Sequence, residues 1–288
     1  MKSLISLLCF VFGLSLTSGS RAATARRSPE VIHLHLTFVQ STPVTSISVG
    51  GHTIRMIVDT SAGDADGALT LSHDVIADAN GVRLGDAVMN DELGRQFIRP
   101  RFRIPVVIVD GHAYHDVHAV EALPPETGEN SPIPNVMGKH FLSRHFLVVD
   151  FAAASISLWP RAVRDPASAG CGRTPIPMEP TQEARLAVST FDLSPGRVRL
   201  SWSTSASYSL LAEATAKKLQ LATVSHGPDS PRFFESTKLA AADKDFGSLE
   251  FAVLPLQLPR DFDGVIGGNF FAHHVVCFDY ERREIRVR

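Results

Sequence analysis

Strand-forming segments separated by tight turns make up most of the chain. Residues 31–39 alternate between apolar and polar positions, which is the period of a half-buried β-strand. Further strand pairs flank Gly50-Gly51 and Asp110-Gly111, two sequences typical of hairpin turns. Helices are expected at residues 69–79 and at residues 210–221, and both are short. The pattern therefore predicts a mainly β protein with short helices.

The second half of the sequence repeats the first. Residues 197–207 match residues 53–63 at an offset of 144, and both segments contain the triplet Thr-Ser-Ala. Residues 264–271 match residues 135–142 at an offset of 129, and a strand-like run that ends in Asp follows each of them. Two anchors in the same order in each half indicate a duplicated, β-rich unit.

A segment rich in Pro and Gly separates the two repeats. Residues 161–184 show no periodic pattern, so they are predicted to form a linker. The N-terminal lobe is then placed at residues 26–160 and the C-terminal lobe at residues 185–288. The expected molecule is bilobed, with two duplicated lobes that each resemble a β-barrel.

The N-terminus has the organisation of a secretory signal peptide. Lys2 precedes an apolar run over residues 4–16, and Ala23-Thr24-Ala25 offers a cleavage site. A buried N-terminal helix is the alternative interpretation. The apolar run is too short to span a bilayer comfortably, so no stable membrane anchor is expected. Residues 1–25 are therefore predicted to direct the chain to the periplasm or to the medium.

Composition narrows the classes of function. The 288 residues include 28 Lys and Arg against 30 Asp and Glu, and a nucleic-acid partner would favour a basic excess instead.

Cys171 and Cys277 follow the cleavage site, and they form either a disulfide, as an oxidising compartment favours, or two buried thiols. His112, His115 and His118 recur every third residue on a predicted hairpin, where successive members point to opposite faces. No metal or cofactor is therefore expected.

Asp59 stands where a run of strand-forming residues ends. Residues 54–58 deliver this one carboxylate, and Thr60-Ser61-Ala62 follows at once. A carboxylate at the end of an apolar strand is costly to bury, so its placement usually reflects a function. The matching position in the second half is Ser203, which precedes Thr204-Ser205-Ala206.

Each half resembles the lobe of an aspartic peptidase of the pepsin and retropepsin type. Such a lobe has a strand ending in Asp-Thr-Gly or a close variant, a hairpin flap, an apolar-apolar-Gly motif before a short helix, and a final strand pair. Residues 264–271 and the Phe-Asp-Tyr-Glu-Arg-Arg sequence at residues 278–283 look most like the bacterial retropepsin-like secreted group. The resemblance covers residues 44–159 and 185–288, and the Asp110-Gly111 hairpin is the candidate flap of the first lobe.

The resemblance implies a role for each residue that matches the family motif. Asp59 is the first catalytic aspartate, and Thr60 and Thr204 are the threonines that tie the two loops together. In this family two aspartates share a proton, so that one activates a water while the other donates to the scissile carbonyl. Ser203 occupies the second aspartate position, and a serine cannot share a proton in that way.

Several functions remain open at this point. Ser61 and Ser205 stand where the family usually has glycine. The protein is either a weak aspartic-type peptidase, in which Asp59 activates the water, or an inactive pseudo-peptidase that serves as a peptide-binding or regulatory module. A dimer that pairs two copies of Asp59 is disfavoured, because the second lobe already occupies that face. A hydrolase with Ser203 as nucleophile lacks a Gly-x-Ser-x-Gly elbow. We expect a monomer with a peptide or protein substrate.

Overall fold

The structure of the protein is a computed structural model. It describes residues 30–62, 67–90, 96–122, 133–161, 165–181, 186–225, 227, 231–256, 258 and 262–288. The predicted signal peptide, residues 1–25, lies outside this part of the chain. Within the described ranges, no helix is both long enough and apolar enough to cross a membrane.

Short strands and small helices alternate in the first half of the chain. Its strands are β1 (Ile32–His35), β2 (Thr37–Val39), β3 (Thr42–Val49), β4 (His52–Val58), β5 (Leu69–Leu71), β6 (Val82–Asn90), β7 (Gln96–Val109), β8 (His112–Glu121), β9 (Val136–Met137), β10 (His145–Asp150) and β11 (Ser155–Pro160). Its helices are α1 (His73–Asp78) and α2 (Lys139–Leu142). The turns predicted at Gly50-Gly51 and Asp110-Gly111 are confirmed, and all four residues have the positive φ that a two-residue hairpin turn requires.

The second half follows the same order of elements. Its strands are β12 (Pro175–Pro177), β13 (Val188–Leu193), β14 (Arg197–Trp202), β15 (Leu210–Ala212), β16 (Val224–Ser225), β17 (Arg232–Ser236), β18 (Leu239–Ala241), β19 (Lys244–Asp245), β20 (Leu249–Leu254), β21 (Gly264–Ile266), β22 (Val276–Asp279) and β23 (Glu284–Val287). Its helices are α3 (Glu213–Lys218) and α4 (Gly268–Phe271). The predicted linker contributes a 3-10 helix, Pro166–Ala169, and the edge strand β12.

The two predicted helices begin later than the sequence suggested. Leu69–Leu71 and Leu210–Ala212 are strands, and helix starts only after each of them. The reason lies in the neighbouring chain, because each short strand pairs on both sides, β5 with β8 and β9 and β15 with β20 and β21. These pairings bury Leu69, Leu71 and Leu211 in the lobe interiors and outweigh the helical pattern.

The described strands form three sheets, one for each lobe and one that both lobes share. The order is β2-β3-β4-β9-β5-β8-β7-β6 in the first lobe and β16-β17-β20-β15-β21-β14-β13-β18-β19 in the second. The shared sheet has the order β1-β11-β10-β22-β23-β12, so the last strand pairs of the two lobes lie side by side. The predicted fold class, mainly β with two duplicated lobes, is confirmed.

The Asp110-Gly111 turn is fastened to the shared sheet. The Asp110 carboxylate accepts a hydrogen bond from the His33 backbone N–H at 2.8 Å, and His33 belongs to the edge strand β1. His112, which follows the turn, lies 3.2 Å from a carboxylate oxygen of Glu30. These contacts make the turn part of the base of its lobe, so the structure does not support the expectation that it is a flap over Asp59.

Candidate functional site

Asp59 and Ser203 occupy equivalent positions at the ends of two equivalent strands. Strand β4 runs parallel to β9 and strand β14 runs parallel to β21. The Asp59 N–H donates to the Met137 carbonyl at 3.0 Å, and the Ser203 N–H donates to the Ile266 carbonyl at 3.0 Å. The first residue of each loop is therefore hydrogen-bonded to the strand that runs parallel to its own. The two segments that match in sequence also have matching positions in the two lobes.

The apolar-apolar-Gly motifs hold the far end of each loop. The Lys139 N–H donates to the Ala62 carbonyl at 2.6 Å, and the Gly268 N–H donates to the Ala206 carbonyl at 2.7 Å. In the second lobe the approach is so close that a Cβ at Gly267 would lie 2.3 Å from the Tyr208 carbonyl oxygen. Glycine is required there because any side chain would push the site loop away.

Thr60 and Thr204 interlock the two loops across the lobes. The Thr60 hydroxyl accepts from the Thr204 N–H at 3.2 Å and donates to the Trp202 carbonyl at 3.0 Å. The Thr204 hydroxyl accepts from the Thr60 N–H at 3.1 Å and donates to the Val58 carbonyl at 2.7 Å. Both threonines are completely buried. The predicted tie between the loops is thus present as two reciprocal pairs of hydrogen bonds.

Replacing either threonine by valine should weaken the junction of the lobes. Valine keeps the shape of the side chain but leaves a buried N–H and a buried carbonyl without partners, which costs about 1–3 kcal/mol for each such group. We expect Thr60→Val and Thr204→Val each to lower the free energy of unfolding in urea by at least this amount. The exposed Thr53→Val on β4 is the matched control. Equal midpoints for Thr60→Val and wild type would show that the interlock contributes nothing.

Asp59 is held from both lobes by one of its carboxylate oxygens. The side chain is only 8% exposed, and Oδ1 accepts from the Ser61 N–H at 2.8 Å and from the Ser61 hydroxyl at 2.7 Å. The Ser203 hydroxyl lies 3.2 Å from the same oxygen. The Ser203 oxygen is also 3.2 Å from the Ser205 hydroxyl and accepts from the Ala206 N–H at 3.3 Å. All six residues that the sequence proposed for the site are therefore together.

The arrangement contains one carboxylate with serine hydroxyls around it. Each serine hydroxyl has one proton to donate. The Ser61 and Ser203 hydroxyl oxygens also lie 2.9 Å apart. When Ser61 donates to Asp59, the Ser203 proton is free to point to Asp59 or to Ser61, and Ser205 donates to Ser203. Among the described residues no other carboxylate hydrogen-bonds to Asp59, and Asp192 on β13 is paired with Arg197 at 2.8 Å. Asp64 and Asp66, which the sequence placed near the site, lie outside the described residues.

Tyr280 is a neighbour of the site that the sequence reasoning did not single out. Its hydroxyl is buried and has no hydrogen-bond partner among the described residues. Burial raises the pKa of Tyr280 strongly, and the negative charge of Asp59 raises it further. The available signal was the alignment of the two repeats, in which Tyr280 falls opposite Phe151 and is the one of the two that carries a polar group.

The fold and the paired site loops define the bilobed pepsin-like fold. Solved structures with a similar fold include an aspartic proteinase from Irpex lacteus, with a TM-score of 0.60 and 12% identity over 90% of this chain and 97% of that one. They also include conglutin gamma from lupine seeds, a basic 7S globulin, with a TM-score of 0.60 and 11% identity over 91% of this chain and 95% of that one. The basic 7S globulin from soybean has a TM-score of 0.54 and 12% identity over 90% of this chain and 95% of that one. No protein-family model and no curated protein matches the chain.

Proposed function

We propose that the protein binds an extended peptide between its lobes at Asp59 and hydrolyses it slowly as an aspartic-type peptidase. The observation that supports this most directly is the hydrogen bond between Asp59 and Ser203, which joins the two lobes at the strand ends. Two lobes of this kind leave the reacting groups at their junction, where a peptide can reach both. Asp59 is the group that can accept a proton there.

The chemistry assigned to the site is base catalysis by one carboxylate. Asp59 takes a proton from a water, and that water attacks the scissile carbonyl carbon. Ser203 turns its one hydroxyl proton from Asp59 to the oxygen that becomes negative, but it does not deliver an acidic proton as a second carboxylic acid would. When the C–N bond breaks, Asp59 gives the proton that it took from the water to the leaving amine nitrogen. General acid–base assistance contributes about 10²–10⁴ in rate for each group. The proposed peptidase therefore lacks one such factor.

The second candidate function is a pseudo-peptidase that binds peptides without cleaving them. It is favoured by the Ser203 hydroxyl, which fills the second position and satisfies the Asp59 carboxylate with a neutral donor. It is also favoured by the similar structures, since two of the three described above are named as basic 7S globulins and one as an aspartic proteinase. The interlocked loops serve a binding groove as well as they serve an active site.

The place of the protein in the cell and its subgroup belong to the same proposal. We infer that it is exported to the periplasm or the medium after removal of residues 1–25, and that it belongs with the bacterial retropepsin-like secreted group. Support for export comes from a disulfide between Cys171 and Cys277, since such bonds persist mainly in oxidising compartments. Support for the subgroup comes from the Gly-rich motif at residues 264–271.

A peptide assay on the chain from residue 26 tests the proposal. A mixture of unlabelled peptides is incubated from acid to neutral pH with wild type, Asp59→Asn and the control Asp192→Asn, and both cleavage and bound peptide are measured by mass spectrometry. Slow cleavage that Asp59→Asn abolishes and Asp192→Asn keeps supports the peptidase. Bound but intact peptide that Asp59→Asn releases supports the pseudo-peptidase. Absence of both binding and cleavage would refute the two functions together.

A further inference from the structure

The segment after each site helix carries a histidine at the same place in the repeat. His145 follows α2 in the first lobe and His274 follows α4 in the second, at the offset of 129 that relates the two helices. Both rings are half-buried. The ring of His145 is hydrogen-bonded to the backbone of Trp159 on β11, and the ring of His274 to the backbone of Arg288, which follows β23. The two lobes therefore share both the histidine and the place where it is anchored.

In the first lobe the histidine completes a cluster of three rings. The ring centroid of Tyr114 on β8 lies 4.8 Å from that of Phe141 in α2, and both centroids lie 6.0 Å from that of His145. The Tyr114 hydroxyl lies 3.1 Å from Nε2 of His145. Burial raises the pKa of Tyr114 to about 12, so the tyrosine keeps its proton. A neutral imidazole can accept that proton in a hydrogen bond at Nε2.

The second lobe has an equivalent cluster with phenylalanine in place of the tyrosine. The ring centroid of Phe246, which follows β19, lies 5.4 Å from that of Phe270 in α4 and 5.8 Å from that of His274. The His274 ring also packs on Phe270, with their centroids 4.3 Å apart. The Lys244 ammonium nitrogen lies 5.4 Å from the centroid of Phe246. The second cluster therefore lies beside a cation.

The two clusters pack on the helices that hold the site loops. Phe141 belongs to α2 and Phe270 belongs to α4, and both side chains are buried. The first residue of each helix donates its backbone N–H to the end of a site loop, at 2.6 Å in α2 and at 2.7 Å in α4. A change in the first cluster therefore acts on the support of the Asp59 loop, and a change in the second acts on the support of the Ser203 loop.

The surroundings of both histidines oppose a positive charge on the ring. Burial is the main cause that lowers the pKa of His145, and the Arg144 guanidinium lowers it further. Burial also lowers the pKa of His274, and Lys244 and His273 add to the effect. The backbone hydrogen bonds act in the opposite direction, but no carboxylate among the described residues favours either charged ring. Both rings are therefore uncharged at neutral pH.

We propose that the two clusters form an acid-sensitive clamp, which holds both site loops while His145 and His274 are neutral and loosens them when the two rings become charged. A charged His145 has no acceptor nitrogen left, so Tyr114 must turn its proton away from the ring. A charged His274 is repelled by the neighbouring Lys244. The clamp sets the lower limit of pH at which the two loops are held together. The inference deepens the proposed function and rests on it only for the effect on peptide.

The stability of the protein at different pH values tests the clamp without any need for activity. A histidine in the unfolded chain takes up its proton at about pH 6.5, whereas the folded rings take it up only at lower pH. The stability that the neutral rings contribute is therefore complete above this range and is lost as the pH falls. We expect the urea midpoint of wild type to fall between about pH 7.5 and about pH 5.5, above the range in which exposed carboxylates titrate.

Substitution of the two histidines should remove much of this fall. The double variant His145→Gln, His274→Gln should lose about half of the fall in urea midpoint or more, whatever its stability at neutral pH, because glutamine does not titrate. Each single variant should lose a smaller part. The matched control is His115→Gln with His118→Gln at two exposed positions of β8, which should keep the wild-type fall. Equal falls for wild type and the first double variant would overturn the proposal.

A variant outside the clusters tests the effect of charge while all the rings stay in place. Arg144 is exposed, and its cation opposes the charge on His145. Arg144→Gln should therefore make the fall in urea midpoint smaller, most clearly at low ionic strength, where charges are screened least. Arg55→Gln at an exposed position of β4 is the control and should leave the fall unchanged. A fall in Arg144→Gln as large as that of wild type at low ionic strength would contradict the clamp.

Peptide binding tests whether the clamp reaches the site. The affinity of wild type for the peptide mixture should fall over the same range of pH, and the double variant His145→Gln, His274→Gln should show a smaller fall. Asp59 is present in both proteins, so its own titration contributes equally to both. Equal falls in affinity would show that the clusters do not act on the site loops and would overturn the proposal. If wild type neither binds nor cleaves peptide at any pH, the proposed function fails, and the unfolding measurements alone decide on the clamp.

Discussion

Ser203→Asp is expected to raise the rate of peptide cleavage at acid pH by about 10²–10⁴-fold over wild type, the contribution of one general acid or base. The Ser203 oxygen already lies 3.2 Å from Asp59 Oδ1, and the loop around it is fixed by the bond to Ile266 and by the threonine interlock. An aspartate at this position would set two carboxylates side by side. Two such groups share one proton at acid pH, which supplies the acid that the natural chain lacks.

Two comparisons make this experiment decisive. Ser207→Asp adds the same charge to an exposed position of the same loop, so it should give no gain if the effect depends on the pairing with Asp59. The double variant Asp59→Asn with Ser203→Asp should lose the gain, because the pair is again incomplete. A Ser203→Asp protein that is folded, binds peptide and cleaves no faster than wild type would show that more than the second carboxylate is missing.

Loss of the Cys171–Cys277 disulfide is expected to lower the free energy of unfolding by about 2–5 kcal/mol. The bond joins residues 106 apart, and closing so long a loop removes much of the conformational freedom of the unfolded chain. Cys277 lies on β22 in the shared sheet, whereas Cys171 follows the 3-10 helix of the linker. The bond thus ties the connection between the lobes to the strand that precedes Tyr280.

A reducing agent distinguishes the stability that the covalent bond contributes from the stability that the packing of its two sulfur atoms contributes. We expect the double variant Cys171→Ala, Cys277→Ala to unfold at lower denaturant than oxidised wild type, and a reductant to lower the stability of wild type but not that of the variant. If a reductant left wild type unchanged while a thiol assay showed both cysteines free, the disulfide would contribute no stability. Of the two alternatives that the sequence left open for these cysteines, the structure has the disulfide.

The repeat in the sequence was enough to bring the site together. Asp59 and Ser203 follow the same strand pattern at a fixed offset, and two copies of one unit must place equivalent residues at equivalent strand ends. The interlock of Thr60 and Thr204 followed from the resemblance and is present in the structure. What each residue does with a substrate stays a prediction, because the geometry shows where a proton can be donated or accepted and does not show whether a reaction uses it.

Features that depend on which strands become neighbours could not be predicted in the same way. Periodicity shows that Leu69 is buried, but only its partners β8 and β9 make it a strand. A turn sequence such as Asp110-Gly111 predicts a hairpin and not the surface that the hairpin reaches. The contact of Tyr280 with Lys139 shows the same limit, since the pairing of β10 with β22 that brings the two lobes together crosses between the halves of the chain.

The shared sheet has a consequence for how a ligand can enter. Strands β10 and β22 are hydrogen-bonded along Leu147–Val149 and Val276–Phe278, so the two lobes stand on one continuous floor. A hinge between the lobes would have to break this ladder as well as the threonine interlock. Access to Asp59 is therefore expected to depend on movement of peripheral hairpins, while the shared sheet stays rigid. Ligand binding should then leave the rate of amide hydrogen exchange at Val148 and Cys277 unchanged.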